Sequence, residues 1–529
     1  MSNQPDIFTV EVIRQALASI AEEMSLVVMR AARSPLLREA GDHSSALTFA
    51  NGEVIAQGRD LPIHLGTMGY TVREFLKVVD KSRLSPGDIW YINLPEVGGN
   101  HLPDVKAVRP VFYKGEILAF AVSLAHWEDI GGATPGSYTA HATDVWQDGF
   151  RIPPTRFFAE DQPIDETLNL LLANVRTHDI IRGDMFAQAA ATRVADSRLQ
   201  TLFEDHGVDT FKAAVAILND LTEEQTRNAI RHMPDGIYEG EDWMDDIGPD
   251  GNHVAIRVKV TIDGETATFD FSDTDDAIEA PVNATPYLAA TAAGFIIKAI
   301  SEQEIFHTDG FFRVVKVITR PGSLLEPPTS YPVVLGNHET SQRCVDAIMK
   351  ALVPCVPEAL SAGGAGSASV LIFTGQWPDG RWWSFYEAHG GGEGARAKRD
   401  GWSSSRVNLA NVMNTPAEMV ETQYPIIISK QALRRGSGGR GHHEGGSGVV
   451  RVYEMLGEDT KFAAMLDRCK VPPYGLLGGE NGEPYVLRHV TSDGSESVIN
   501  GRGHYRLKKG EKIIIETCGG GGYGEPRAG

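Results

Sequence analysis

The sequence predicts a multidomain α+β fold: an N-terminal mixed helix/hairpin region, central helices and a strand-rich, glycine-rich C-terminal part. Three observations carry this. Apolar residues recur at helical spacing over residues 9–32, 183–203 and 208–231. Paired apolar runs separated by short turns mark hairpins around Asn51-Gly52, Gly115 and Asp263-Gly264. The last third of the chain carries short strand-like runs between clusters of glycine. The divisions fall at residues 1–232 (mixed α/β), 233–445 (central α+β with Gly-rich loops) and 446–529 (β-rich).

In order, the helix over residues 9–32 rests on Val12, Ile13, Ala16, Leu17, Ile20, Met24, Val27 and Val28, and stops before Pro35. The hairpin at Asn51-Gly52 brings its outer ends, near Asp42 and His64, towards each other. A helix over 67–79 follows, and Pro86-Gly87-Asp88 turns into a strand at 89–93. Residues 149–158 read as a Pro-containing loop and 166–176 as a helix. Beyond Pro234 a third hairpin occupies 253–272, followed by a buried helix at 287–300 and a Pro-rich passage at 321–332. Residues 336–343 open a helix over 344–352; free N–H groups and Arg343 there suit an anion, set against ordinary N-capping by Thr340 or Ser341. Strands are expected at 448–455, 461–466, 485–489 and 512–516. The 56 glycines point to backbone packed on backbone or ligand, with simple structural turns as the plainer alternative.

Composition narrows the function. Hydrophobic residues at 42% and charged residues at 22% suit a soluble globular protein. The net charge of −21 argues against nucleic-acid binding. The four cysteines (Cys344, Cys355, Cys469 and Cys518) have no Cys-x-x-Cys spacing, so free thiols are expected rather than a zinc ribbon or redox pair. The N-terminus has no signal-peptide pattern and 287–300 is too short to span a bilayer, so a cytoplasmic, membrane-free protein is expected. No Walker A motif or Gly-x-Ser-x-Gly elbow occurs, and the Gly-x-Gly-x-x-Gly letters at 436–441 lie in no βαβ context.

The stretch over 97–132 carries the chemistry. Apolar runs at 105–112 and 117–124 flank a turn, and positions 104 and 126 are symmetric about Gly115. That symmetry makes Asp104 and His126 cross-strand neighbours, roughly 5 Å apart at Cβ. His101 sits in the Gly-rich loop before the first strand. Two imidazoles and a carboxylate at one hairpin end can hold a divalent metal. Asp42 is a candidate fourth ligand or supporting group, or else the cap of a turn.

Several motifs occur in order along the chain: REAGDHS at 38–44, GGNHLPD at 98–104, HWEDIGG at 126–132, ANVR at 173–176, ETSQR at 339–343 and YGEP at 523–526. Through them the chain resembles the hydantoinase B/5-oxoprolinase family, which includes β subunits of ATP-dependent N-methylhydantoinase and caprolactamase and the metal-bearing subunits of acetone carboxylase. The resemblance implies a metal subunit with His101, Asp104, His126 and Asp42 as ligands of Mn²⁺, Zn²⁺ or Fe²⁺. It implies a hydantoinase A-like partner that binds ATP with Mg²⁺ in a hetero-oligomer such as α2β2. The implied reaction is hydrolysis of a cyclic amide (a hydantoin, lactam or 5-oxoproline-like substrate) activated by phosphorylation on the partner. Asp129 or Glu39 is the expected proton acceptor, and His43 and Trp127 are expected to touch substrate. The alternatives are a subunit of an ATP-dependent ketone carboxylase of the acetone or acetophenone type, and a non-catalytic scaffold.

Overall fold

A computed structural model describes residues 5–245, 247, 251–301 and 303–527. Helix α1 (Ile7–Ala31) starts where Asp6 accepts hydrogen bonds from the backbone N–H groups of Phe8 and Thr9. Its buried stripe of Val10, Ile13, Leu17, Ile20, Met24 and Val28 has helical spacing. A short helix α2 (Pro35–Arg38) follows, opened by a proline at its first position.

The first sheet has seven antiparallel strands: β1 (His43–Phe49), β2 (Val54–Gln57), β3 (Ile89–Ile92), β4 (Asp104–Tyr113), β5 (Glu116–His126), β6 (Thr155–Ala159) and β7 (Gln162–Pro163), in the order β2-β1-β5-β4-β3-β6-β7. Between β2 and β3 lie helices α3 (Pro62–Leu65) and α4 (Met68–Val78). After β7 come α5 (Asp165–Leu172), α6 (His178–His206) and α7 (Val208–Arg231). One sheet face joins α1 and α6 in a core that includes Leu17, Val105, Ala121, Trp127 and Leu199. The other packs on α4 through Met68, Val72, Phe75, Phe120 and Val122. Covered on both faces, β4 and β5 read as nearly continuous apolar runs, which is why the sequence shows them clearly.

The central hairpin reaches the expected register by an unexpected route. Lys114 and Gly115 form the turn with φ of 50° and 88°, the positive values that two-residue hairpin turns of type I′ require. That closure pairs Tyr113 with Glu116 and would set Asp104 opposite Ala125. A bulge beside Val111 and Phe112 leaves Leu118 unpaired, and from there Val111 pairs with Ala119 and Asp104 with His126.

The second sheet holds β8 (Gly236–Met244), β9 (Val254–Asp263), β10 (Thr266–Asp270) and β11 (Val315–Ile318), with helix α8 (Pro286–Ile300) and helix α9 (Ser341–Leu352) in the same core. A π-helical turn, Gly336–Thr340, runs straight into α9. The anion site considered there does not form. Arg343 is fully buried and lies 3.1 Å from Asp346, while the Thr340 hydroxyl donates to the Val282 carbonyl rather than capping the helix. Two further sheets, with 370–376, 382–387, 460–465 and 502–507 in one and 426–434, 448–455, 486–490, 496–498 and 512–516 in the other, share an aromatic core of Phe373, Phe385, Tyr453 and Phe462. Strands at 155–159, 236–244, 370–376, 382–387, 426–434 and 502–507 were not legible in the sequence. Ile426–Arg434 shows why: as an edge strand it exposes Lys430, Gln431, Ala432 and Leu433, so no alternating pattern is imposed on it.

The glycine-rich stretches pack backbone on backbone. Gly520 accepts from the Gly439 N–H and donates to the Gly446 carbonyl, and Gly521 donates to the Gly363 carbonyl. A Cβ on Gly520 would lie 1.9 Å from the Glu393 carbonyl oxygen, and neither backbone can withdraw. Gly520→Ala is therefore expected to lower stability by about 1–3 kcal/mol or more, read as a lower denaturant midpoint; an unchanged midpoint would refute this packing. All four cysteines are free thiols, and no helix among the described residues is long and apolar enough to cross a membrane.

Candidate metal centre

The β4–β5 pairing sets Asp104 and His126 side by side at the hairpin's open end. The loop before β4 brings in His101, and one donor atom from each of the three lies within 4.8 Å of the others. Lys106, two residues along β4 on the same face as Asp104, holds this loop: its ammonium donates to Gly98 O at 2.6 Å and to the hydroxyls of Thr67 and Thr71 at 2.9 Å. Asn100 ties the loop to the π-helical turn, donating to Asn337 Oδ1 at 3.1 Å.

The hydrogen bonds decide which ring nitrogens face the centre. His101 Nδ1 lies 2.9 Å from the Val334 carbonyl, which can only accept, so Nδ1 carries the proton and Nε2 presents a lone pair. That Nε2 lies 3.3 Å from Asp104 Oδ1. His126 Nε2 lies 3.0 Å from the Tyr138 hydroxyl, while its Nδ1 is buried without a partner. A proton on Nδ1 would have no acceptor, so Nδ1 is the free donor atom.

A third imidazole faces the same space. The Ser44 hydroxyl donates to the His43 carbonyl, so toward His64 Nδ1, 3.1 Å away, it accepts. His64 Nε2, left unprotonated, lies 3.6 Å from a carboxylate oxygen of Asp42 and of Asp104. Burial lowers the pKa of His64 to about 4 and that of His126 to about 3, so both rings stay neutral near pH 7. Burial and the nearby Asp104 charge push the Asp42 carboxyl up to about 7.

Asp104 supplies the test of fit. Both of its oxygens are buried and neither has a hydrogen-bond partner. A buried carboxylate surrounded by imidazole lone pairs is strongly unfavourable by itself. A divalent cation among these atoms turns each of those repulsions into a ligand bond.

The expected residues divide as follows. His101, Asp104 and His126 converge. Asp42 lies outside that tight group and joins it through His64 and through its carbonyl, which accepts from the His126 N–H at 3.1 Å. Asp129 makes no bond to the group: its oxygens accept from the N–H groups of Gly131, Gly136 and Arg176 and pair with the Arg176 guanidinium at 3.0 Å, fastening the 129–137 loop. Glu39 is half-buried at the end of α2, its side chain making no hydrogen bond or ion pair among the described residues. Trp127 does not reach the site. One residue past His126, it points through the opposite sheet face, is fully buried and donates to Gln188 Oε1 at 3.1 Å. His43 is buried on β1 beside His64, with its Nδ1 unpartnered.

Sequence reasoning missed His64 as a donor, though the Asn51-Gly52 hairpin placed it near Asp42. It also missed the wall formed by Tyr138, Tyr386 and His338. The His126 ring centroid is 4.8 Å from that of Tyr386, and the His338 centroid is 6.1 Å from that of His101. His338 sits on the π-helical turn, a distortion that often marks a functional position. Its Nδ1 lies 3.1 Å from Glu339 Oε1, and its Nε2 is buried without a partner.

Comparison with known proteins identifies the family. A family model described as hydantoinase B/oxoprolinase matches residues 6–526. The chain is 34% identical over 526 residues to an uncharacterised protein of Methanocaldococcus jannaschii, covering 98% of this chain and 91% of that one. It is 31% identical over 544 residues to the caprolactamase subunit beta of Pseudomonas jessenii, covering 99% and 92%. The crystal structure of the ATP-dependent caprolactamase from that organism matches with a TM-score of 0.92, again over 99% and 92%. A nucleotide-free acetone carboxylase structure shares the fold, with a TM-score of 0.90 at 17% identity over 98% of this chain and 76% of that one.

Proposed function

The chain belongs to the hydantoinase B/oxoprolinase family, and on that premise we propose that it is the metal-bearing subunit of an ATP-dependent cyclic-amide hydrolase. The observation that carries this is Asp104, a buried carboxylate with no hydrogen bond among three imidazole donor atoms. His101, Asp104, His126 and either Asp42 or His64 would hold the ion, and an N,O set of this kind suits Mn²⁺, Zn²⁺ or Fe²⁺. Such an ion supplies Lewis acidity, which makes water nucleophilic near neutral pH.

An unstrained amide resists water because resonance stabilises it. A partner subunit that phosphorylates the amide oxygen from ATP removes that resonance, a division of labour supported by the beta-subunit name of the caprolactamase relative. Water then adds to the activated carbon and the ring C–N bond breaks, leaving an amine and an acyl phosphate; a second water cleaves the acyl phosphate to a carboxylate and phosphate. For the proton, the structure favours the His338–Glu339 pair over Asp129, whose oxygens are already engaged, and over Glu39, which makes no contact with the cluster. Burial keeps His338 neutral with its Nε2 lone pair available, and Glu339 Oε1 at Nδ1 holds the ring in that orientation. His338 then returns the proton to the departing ring nitrogen.

His338→Gln is expected to lower kcat by about 10²–10⁴-fold while metal content and KM stay near wild type. Wild-type turnover in this variant would remove His338 from the reaction. The broader proposal is tested by purifying the chain with its ATP-binding partner and measuring ATP consumption with lactams and hydantoins. Ring opening by this chain alone without ATP would sink it, and incorporation of labelled bicarbonate from a ketone would move the assignment to a carboxylase.

A further inference from the structure

A cavity of about 750 Å³ lies away from the cluster, between α1, α3, α4, α8 and the segment over 304–312. Tyr70, Phe295, Phe311 and Phe312 give it an aromatic wall. Three other cationic groups line it, together with the carboxylates of Glu22, Asp60, Glu304 and Asp309. Arg14 pairs with Glu11 at 2.6 Å, Arg59 with Glu22 at 3.2 Å and Arg73 with Asp309 at 2.6 Å. His307 is kept neutral by burial and by Lys298.

Lys298 is different. Among the described residues its ammonium has only neutral partners, the His307 Nδ1 at 2.9 Å and the Phe306 carbonyl at 3.3 Å, and no carboxylate pairs with it. An ammonium offers three donors, so one remains for a ligand. Its position in the last turn of α8, where the helix presents partial negative charge, disfavours a dianion. Among the described residues no second unpaired cation lines the cavity to help bind one. A single negative charge attached to an apolar body matches both the lone ammonium and the aromatic wall.

We propose that this cavity is a second small-molecule site, separate from the metal centre, which takes an organic monocarboxylate with an apolar body and seats the carboxylate on Lys298. Helix α3 divides the two sites: Leu65 and the adjoining Gly66 line the cavity, while His64 faces Asp42 and Asp104. The proposal is independent of the hydrolase assignment.

Benzoate is a suitable probe, with benzamide as its uncharged counterpart, and titration calorimetry on the full chain is the measurement. Benzoate is expected to bind at one site, with equal affinity in wild type and in Asp104→Asn, which removes the metal's carboxylate. Lys298→Met and the use of benzamide are each expected to weaken binding by about tenfold or more, the loss of a charged hydrogen bond. Gly294→Leu provides a second variant: a Cβ there meets Phe311 at an ordinary 3.5 Å, so the added side chain fills the cavity and blocks binding. Loss of benzoate binding in Asp104→Asn would place the carboxylate on the metal and overturn the proposal. So would unchanged affinity in Lys298→Met and Gly294→Leu, or no binding to wild type at about 10 mM, weaker than any useful small-molecule site.

Discussion

Asp104→Asn is expected to abolish stoichiometric metal and to cut turnover by about three orders of magnitude or more, the several kcal/mol that a Lewis acid contributes. Asparagine nearly matches aspartate in size, so packing around β4 is preserved. What changes is charge. The imidazole donors of His101, His126 and His64 then converge on a neutral amide, and removal of the buried, unpartnered carboxylate also relieves its repulsion. The variant should therefore be folded and no less stable than metal-stripped wild type, while elemental analysis finds no bound ion. Retention of stoichiometric metal and activity would refute the site. Proton linkage supplies an independent readout. In the metal-free protein Asp42 holds a proton up to about pH 7, and an ion drawing on that carboxylate must displace it. Wild-type metal affinity is then expected to fall about tenfold per pH unit below pH 7 and to level off above it. A flat affinity between pH 5.5 and 7.5 would leave Asp42 outside the ligand set and favour His64 as the fourth donor.

The largest stability effect is expected at Arg468. Its guanidinium is fully buried and donates to Asp242 at 2.6 Å and Asp346 at 2.8 Å. Arg343 pairs with the same carboxylates and lies 3.7 Å from Asp467, which Arg502 holds at 2.6 Å. Lys350 completes the group, 2.9 Å from Asp242. Burial alone would raise the Asp242 carboxyl, yet Arg468, Arg343 and Lys350 bring it down to about 2. The network joins β8, α9 and the chain after residue 465 in one buried contact. Arg468→Met keeps most of the apolar stem but leaves two buried carboxylates short of a partner, at a cost of about 3–5 kcal/mol. Chemical denaturation should show that loss, and it should grow with pH as the stranded carboxyls ionise. A change below about 1 kcal/mol, the worth of an exposed ion pair, would mean that the network is solvated.

Legibility followed sequence distance. The pairing of Asp104 with His126 could be read because both lie on one hairpin, and an error in the turn was cancelled by the bulge at Leu118. Helices α1 and α7 were clear because one apolar stripe meets the core. His64 could not be ranked without the path of α3 beyond the Asn51-Gly52 hairpin. Asn337 and His338 were out of reach, since they lie more than 230 residues from His101 and only the packing of the π-helical turn on the 98–101 loop brings them near. Asp129 and Trp127 show the opposite failure. Close to His126 in sequence, one is spent on fastening a loop, and the other points through the far face because side chains alternate along a strand.

By itself, then, the sequence determined the family, the local hairpin geometry and the convergence of three candidate metal donors, because these depend on short-range pairing and an ordered set of motifs. Only the tertiary structure decided which nitrogens face the centre, which acids are already occupied and where an unpaired ammonium meets a cavity. Each of those depends on hydrogen-bond partners and burial contributed by distant segments, and neither is encoded by spacing along the chain.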